Sequence, residues 1–256
     1  MSVARTGFIE RYAPWLLLAA IVVLWQAICS LFDVSEFIFP SPIAIAQSLV
    51  QYAGPIAGHA WQTLWTTMAG FAIGVAVGLA LGIAVGMSRL TYRALYPLLV
   101  GFNSIPKAAF VPILVVWFGI GSLPAVLTAV LICFFPIVVA GMAGLTSTPA
   151  DVNELAKSLS ANWWQHFLKF RFPWALPQIF VGLKVAISLA VVGAVVAEFT
   201  GAGHGLGFVI VMSGTSADTP LAFAAISLLA VMSIGLFYLL VAVERRLLPW
   251  AKETTG

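Results

Sequence analysis

The chain has 256 residues, of which 62% are hydrophobic and only 8% are charged, and its formal net charge is +3. Soluble globular domains carry about 25% charged residues, so this composition excludes an ordinary soluble domain. It predicts an integral membrane protein, and the long apolar runs along the chain predict one built entirely from α-helices.

The charge-free runs locate the membrane-spanning segments. Four of them, 12–32, 37–88, 108–150 and 219–243, each exceed the ~20 residues that a helix needs to cross the bilayer core. Together with the helix breakers between them, they predict about six transmembrane helices, near 13–32, 62–87, 94–118, 122–145, 175–198 and 219–243. An even number of spans places both termini on one side of the membrane.

The distribution of Lys and Arg predicts which side that is. Cations cluster before the first span and after the second, fourth and sixth, whereas the opposite loops, near 33–61, 119–121 and 199–218, contain none. Because short loops rich in Lys and Arg stay in the cytoplasm, both termini are predicted to be cytoplasmic. The charge excess is thus a topology signal and does not indicate a nucleic-acid partner.

The N-terminal region predicts one spanning helix and one surface helix. The first apolar run is longer than that of a typical signal peptide and no small-residue cleavage site follows it, so we expect an uncleaved helix. Further on, Ser41 as N-cap and Pro42 at the first helical position predict a helix over residues 43–52. This helix is apolar but too short to span, which favours a position at the membrane surface.

The second span contains glycine at every fourth position, with alanines interleaved. Small residues at this spacing let helix backbones approach closely, so the row predicts a groove in which another helix lies. A sliding surface of a moving transporter and plain close packing are both compatible with it. The row consists of Gly70, Gly74, Gly78, Gly82 and Gly86.

Two further features lie in the predicted membrane interior. Pro97, Pro106, Pro112 and Pro136 interrupt the third and fourth spans, and interrupted helices either flank a transport path or are ordinary proline kinks.

Lys107 and Lys184 lie inside spans three and five. No acidic residue is predicted to pair with either lysine, so we expect Pro106, Lys107 and Lys184 to border a translocation pathway for an anion. Alternatively, Lys184 extends its side chain to the cytoplasmic interface.

The segment 147–173 is longer and more polar than a simple turn between two spans. Thr148 as N-cap, followed by Pro149, predicts the start of a short helix, and Asn162 with Gln165 predicts the cap of a second one that ends near Phe172. The two helices would present leucines and tryptophans to the cytoplasm as a docking surface. In the alternative, the pair folds back and buries these side chains against the spans.

The outer loop near 199–218 is rich in glycine around His204. A nucleotide-binding loop would need a preceding strand and a following helix, which this position does not provide. His59, His166 and His204 fall in three different segments, so no metal site is predicted.

Residues 154–160, with the sequence ELAKSLS, followed by Trp164 and Pro173, resemble the EAA loop of bacterial binding-protein-dependent ABC transporter permeases. The match includes Glu154, Ala156 and the closing proline. Ser160 departs from the usual Gly, which puts the turn geometry in question, because Gly tolerates a left-handed helix terminus that Ser resists.

Further stretches resemble the branch of that family that transports nitrate, sulfonates, taurine and pyrimidine precursors. They follow in the same order over nearly the whole chain, at 39–42, 105–121, 135–136, 197–207 and 244–250.

The resemblance implies a single transmembrane permease domain over 1–256, with the fold of a type I ABC importer, in the bacterial inner membrane. It implies that a second permease copy, two cytoplasmic ATP-binding subunits and an external solute-binding protein assemble with this chain. The partner ATPase would bind ATP and Mg and contact the 147–173 segment. The implied coupling residues are Asp151, Glu154, Leu155, Ala156, Leu159, Ser160 and Trp164.

The sequence itself contains no Walker A glycine-lysine loop, so we do not expect this chain to hydrolyse ATP or to hold a cofactor. A channel and a multi-span membrane enzyme are the alternatives of a different class. The unpaired lysines favour an anionic cargo such as a sulfonate, nitrate or an organic acid, while a neutral pyrimidine or vitamin precursor is the alternative within the family.

Overall fold

A computed structural model describes residues 3–201 and 203–250, and their secondary structure is helical throughout, with no β-strand among them. The α-helices are α1 (Val3–Leu31), α2 (Pro42–Gln51), α3 (Ala53–Met87), α4 (Arg89–Ser104), α5 (Val111–Phe118), α6 (Ser122–Thr146), α7 (Ala150–Ser158), α8 (Trp163–His166), α9 (Phe172–Gly201), α10 (Leu206–Thr215) and α11 (Thr219–Leu247). A 3₁₀ turn, Lys107–Phe110, precedes α5, and a π-helical turn, Phe167–Arg171, joins α8 to α9.

Within the described residues, five helical segments are long and apolar enough to cross a membrane. They are Tyr12–Leu31, Ala53–Met87, Ser122–Thr146, Trp163–Thr200 and Thr219–Leu247. A sixth span results if α4 and α5, which are bent by 74° relative to each other, are counted together.

The predicted third span near 94–118 is therefore not one straight helix. Ile105 is extended, with ψ of 130°, as expected for a residue that precedes a proline. Pro106 has no backbone N–H to continue the α4 ladder, so the chain turns there before α5 begins.

Close contacts between α3, α6 and α9 form the centre of the molecule. The glycine row of α3 lies against α6: a Cβ on Gly78 would stand 2.9 Å from the Phe134 carbonyl oxygen, and one on Gly82 would stand 2.8 Å from that of Val138. Gly144 on α6 and Gly193 on α9 allow the same close approach between those two helices. Small residues thus let three helix backbones pack almost in contact.

Helices α1 and α2 form the periphery. Ser41 Oγ accepts the N–H of Ala44 and Pro42 occupies the first position of α2, which confirms the predicted cap. Only 6% of the apolar window of α1 is buried within the chain, and its Trp25 packs on Phe39 and Phe223. Most of the surface of residues 12–31 is therefore left to face lipid or another chain.

Candidate functional site

The 147–173 segment begins with α7. The Thr148 hydroxyl donates to the Leu145 carbonyl at the end of α6 instead of capping α7, and Pro149 occupies the N-cap position. The predicted Thr148 cap is therefore wrong, because the hydroxyl satisfies a free carbonyl of the preceding helix. Asp151 lies in the first turn of α7, where a negative charge is favourable.

The turn after α7 contains Ser160 in the left-handed conformation, with φ of +50°. The Ser160 N–H donates to the Lys157 carbonyl at 2.9 Å, and the Ala161 N–H donates to the Ala156 carbonyl at 3.0 Å. This pairing closes a helix end in the manner usually associated with Gly. The serine thus adopts the left-handed conformation that Gly tolerates more easily, and it bears some conformational strain.

Asn162 and Gln165 form the predicted capping box of α8, with reciprocal bonds of 2.9 and 3.0 Å. However, the helix does not end near Phe172. It passes through the π-helical turn 167–171 directly into α9, so that residues 163–200 form one helical run. The second short helix predicted from the sequence is thus continuous with the spanning helix that follows it.

A side-chain bridge holds α7 against α8. His166 Nε2 lies 2.9 Å from Asn153 Oδ1, and Asn153 Nδ2 donates to the Pro149 carbonyl at 3.0 Å. The local sequence gave no sign of this pair, since its members are 13 residues apart in the chain. The bridge fixes the angle between the two short helices.

Several large apolar side chains of the segment face outward. Leu155, Leu159, Trp163 and Trp164 are 53% to 64% exposed, whereas Ala156 is 2% exposed. Asp151, Glu154 and Ser160 are exposed as well. We call Leu155, Leu159, Trp163 and Trp164 the projecting surface.

Phe167 behaves differently from the projecting surface. It packs against a buried cluster that contains Leu145, Ala175 and Ile179. Phe167 thus folds back onto the spans, as the alternative prediction expects, whereas the leucines and tryptophans of the projecting surface remain exposed.

Arg171 anchors the segment to the helix bundle. Its Nη2 donates to the Leu145 carbonyl at 2.9 Å and to the Gly86 carbonyl at 3.3 Å. Both carbonyls lie in the last turns of α6 and α3, where backbone oxygens have no helical partner and the helix dipole favours a cation. A movement of the 147–173 segment would therefore pull directly on the ends of two central helices.

Lys107 and Pro106 lie at the break between α4 and α5. The Lys107 ammonium donates to the backbone carbonyl and the side-chain oxygen of Asn103, near the C-terminus of α4. Among the described residues, none of the acidic side chains pairs with this lysine within 4 Å. The broken span thus presents a half-buried cation with only neutral partners.

The prediction that Lys184 has no acidic partner is wrong. Its Nζ lies 2.9 Å from Glu244 Oε2, and the two side chains are only 11% and 17% exposed. The predicted sixth span ends at residue 243, just before Glu244, whereas α11 continues to Leu247 and packs beside α9. This pair is neutral as a whole, which removes the reason to expect an anion beside Lys184.

At the opposite end of α3 and α9, His59 and His204 approach each other, with ring centroids 6.1 Å apart. The sequence places them in different segments, and the fold brings them together. The described residues contain no group of three His, Cys, Asp or Glu side chains that could hold a metal ion.

Comparison with known proteins identifies the family. The model of the family described as binding-protein-dependent transport system inner membrane component matches residues 74–249. A probable ABC transporter permease protein of Haemophilus influenzae is 35% identical over 230 residues, which are 90% of this chain and 94% of the relative. A riboflavin transport system permease protein of Chloroflexus aurantiacus is 39% identical over 91% of this chain and 88% of the relative.

Solved structures show the same fold. An inward-facing structure of the MetNI methionine ABC transporter superposes with a TM-score of 0.66 at 21% identity, over 78% of this chain and 97% of that one. The helical secondary structure, the membrane-spanning segments, the sequence relatives and the solved structures lead to the same conclusion. This chain therefore belongs to the binding-protein-dependent transport system inner membrane components, the non-catalytic permease subunits of ABC transporters.

Proposed function

We propose that this permease passes a small solute from an external binding protein into the cytoplasm, driven by a partner ATPase that docks on the projecting surface. The observation that carries the proposal is the exposure of Leu155, Leu159, Trp163 and Trp164 on a rigidly capped segment. Exposed apolar patches with large aromatic residues are typical of protein-protein contact sites. The family description, which makes transport dependent on a binding protein, supports the external partner.

ATP and Mg would be bound by the partner and not by this chain. The permease sequence contains no Walker A loop, and the transport cycle therefore needs an external source of energy. We propose an assembly of two permease copies, two ATP-binding subunits and one binding protein, with both permease termini in the cytoplasm. The cation distribution along the chain supports this orientation.

The contacts of the segment suggest how the partner would drive the spans. Asp151, Glu154 and Ser160 lie on the exposed part of α7 and its turn, while Ala156 packs inward. Arg171 binds the ends of α3 and α6, and α9 continues from the segment without a break. Closure of an ATPase dimer would thus move three packed helices together and shift the permease between two states.

For the translocation pathway, we propose the broken span at Pro106 and Lys107. A charged group and freed backbone groups cannot face lipid without a large cost, so this break requires either water or another protein chain beside it. Lys184 is neutralised by Glu244, so of the two lysines predicted to border the pathway, Lys107 is the one that we propose contacts the cargo. The second permease copy would complete the walls of the pathway.

The lysine favours an anionic cargo. Some relatives are named for the transport of aliphatic sulfonates, taurine or nitrate, and others for riboflavin or formylaminopyrimidine. An uncompensated cation would stabilise the first kind of solute and add little for the second. A neutral pyrimidine or vitamin precursor is therefore the second candidate.

The docking proposal can be tested by co-expression with an ABC-transporter ATPase and a solute-binding protein from the same genome. Trp164→Ala and Glu154→Ala should lose ATPase co-purification and ATP-driven uptake while the amount of permease in the membrane is unchanged. Trp61→Ala is a matched control, because Trp61 is 69% exposed at the opposite end of α3. Full activity of both segment variants would refute the docking surface, and uptake without any ATPase would indicate a channel.

The cargo proposal has its own test. With an active complex, Lys107→Gln should lower uptake of a sulfonate or nitrate about tenfold or more, since a charged hydrogen bond contributes roughly 1.5–3 kcal/mol. If riboflavin is the only solute taken up, and its uptake is unchanged in Lys107→Gln, the result would instead support the neutral cargo.

A further inference from the structure

Helix α10 has no N-terminal cap of its own. Gly205 occupies the N-cap position with no side chain to offer, yet the first three N–H groups all have partners on other helices. Gly205 N–H donates to His59 Nδ1 at 3.1 Å, Leu206 N–H to Thr63 Oγ1 at 2.8 Å, and Gly207 N–H to a carboxylate oxygen of Glu198 at 2.9 Å. The cap of α10 is thus assembled from α3 and α9.

Glu198 is the central member of this cap. Its side chain is 1% exposed, and its Oε2 accepts from Thr63 Oγ1 at 3.0 Å as well as from the Gly207 N–H. Within the part of the chain that the structure describes, Oε1 has no hydrogen-bond partner. Burial of a carboxyl group is costly unless hydrogen bonds offset the cost, and the bonds that Glu198 accepts join α3, α9 and α10 at one point.

The glycines of the loop belong to the same unit. A Cβ on Gly205 would collide with the Glu198 carboxylate, and the backbone of Gly205 has φ of +106°, which a residue with a side chain rarely adopts. A Cβ on Gly207 would stand 2.7 Å from the Val195 carbonyl oxygen. The glycine-rich sequence therefore lets the loop backbone close over the carboxylate.

This cap lies at the end of α9 opposite the 147–173 segment. Glu198 is about 39 Å along the helix from Phe172, where α9 leaves the π-helical turn. The helical run from Trp163 to Thr200 is continuous. A displacement applied at the projecting surface would therefore reach Glu198 through a single helix.

We propose that Glu198 is a positioning residue of the transport cycle, which makes residues 203–215 and the start of α3 move with α9. This inference rests on the proposed function, because it assumes that a partner moves the 147–173 segment. The consequence is specific: without the Glu198 cap, ATP hydrolysis continues at the partner, but the far end of the permease no longer follows it.

The test is the ratio of solute uptake to ATP hydrolysed in proteoliposomes that contain the full complex. Glu198→Ala should lower this ratio about tenfold or more, since two hydrogen bonds to a buried carboxyl group are removed, while ATP hydrolysis stays within about twofold of wild type. Glu198→Gln should restore most of the ratio, because its amide oxygen can accept the same two bonds.

Thr63→Val keeps the shape of the side chain and removes its hydroxyl. It provides an independent variant if Glu198→Ala does not accumulate in the membrane, and it should lower the ratio in the same direction.

A double-mutant cycle adds a geometric check. Gly205→Ala alone should be severely impaired, and part of this effect should disappear in Glu198→Ala, where the carboxylate no longer occupies the space of the new Cβ.

Three results would overturn the proposal. Uptake and ATP hydrolysis could fall in equal proportion in Glu198→Ala, which would mean a purely structural role. Glu198→Gln could be as defective as Glu198→Ala, which would mean that the negative charge itself is needed. The Gly205 and Glu198 effects could be additive. Absence of ATP-driven uptake in the wild-type complex would instead refute the proposed function, so the two failures are distinguishable.

Discussion

Replacement of Gly78 by Ala tests whether the glycine row determines the distance between α3 and α6. The new Cβ would stand 2.9 Å from the Phe134 carbonyl oxygen and 2.9 Å from Ile137 Cβ, about 0.5–1 Å closer than ordinary contact. Overpacking of a core typically costs about 1–3 kcal/mol, whereas the better helix propensity of Ala returns at most about 1 kcal/mol. We expect a net loss of about 1 kcal/mol in the free energy of unfolding.

For a chain of this size, such a loss corresponds to a decrease of about 2–4 °C in Tm. The assay is thermal unfolding in detergent, followed by tryptophan fluorescence and by size-exclusion chromatography after heating. Gly58→Ala is the matched control, because Gly58 lies on the same helix and a Cβ there would meet nothing within 4 Å. It should leave Tm unchanged or raise it. If Gly78→Ala and Gly58→Ala have the same Tm, steric limitation by α6 is refuted.

Three further predictions concern side chains at helix ends and in the bundle. Lys184→Met should lower Tm more than the double variant Lys184→Met, Glu244→Leu, since the single change leaves a partly buried carboxylate unpaired. Equal Tm values of the two variants in thermal unfolding would contradict this prediction. Ser160→Gly should stabilise the permease by about 0.5–1 kcal/mol, because φ of +50° is unstrained for Gly. A lower Tm in this variant, with co-purification of the ATPase unchanged, would show the reasoning to be wrong. Arg171→Met should cost about 1.5–3 kcal/mol through loss of the bonds to Gly86 and Leu145, and hydrogen exchange should increase at the ends of α3 and α6; unchanged protection there would argue against the anchor.

Local sequence patterns predicted the features that depend on neighbouring residues. The long apolar runs correspond to spanning helices, and the caps formed by Ser41 and by Asn162 with Gln165 have the expected bonds. Each of these features is set within one or two helical turns, so local spacing indicates it, although the Thr148 cap predicted in the same way is wrong. The proline before Lys107 likewise indicated an interruption, although not the 74° bend that results.

Contacts between distant segments could not be predicted in this way. The partners Lys184 and Glu244 are 60 residues apart, and Thr63 and Glu198 are 135 residues apart. Such pairs depend on the rotation of each helix about its axis and on where it crosses its neighbours. The sequence contained one usable sign of the second pair: an acidic residue at the end of an apolar run, followed by alternating glycines, requires a partner for its charge.

The π-helical turn 167–171 joins α8 to α9 with one residue more than a regular helical turn would hold. Deletion of one residue from this turn would restore a regular helix, and because the π turn and the α turn each advance about one full rotation, Trp163 and Trp164 would keep their direction relative to α9. Deletion of one residue from the regular part of α9 would instead rotate everything before it by about 100° around the helix axis. In this chain the FLKFR turn is thus the place where the helix can absorb a change of one residue in length without turning the projecting surface away from its partner.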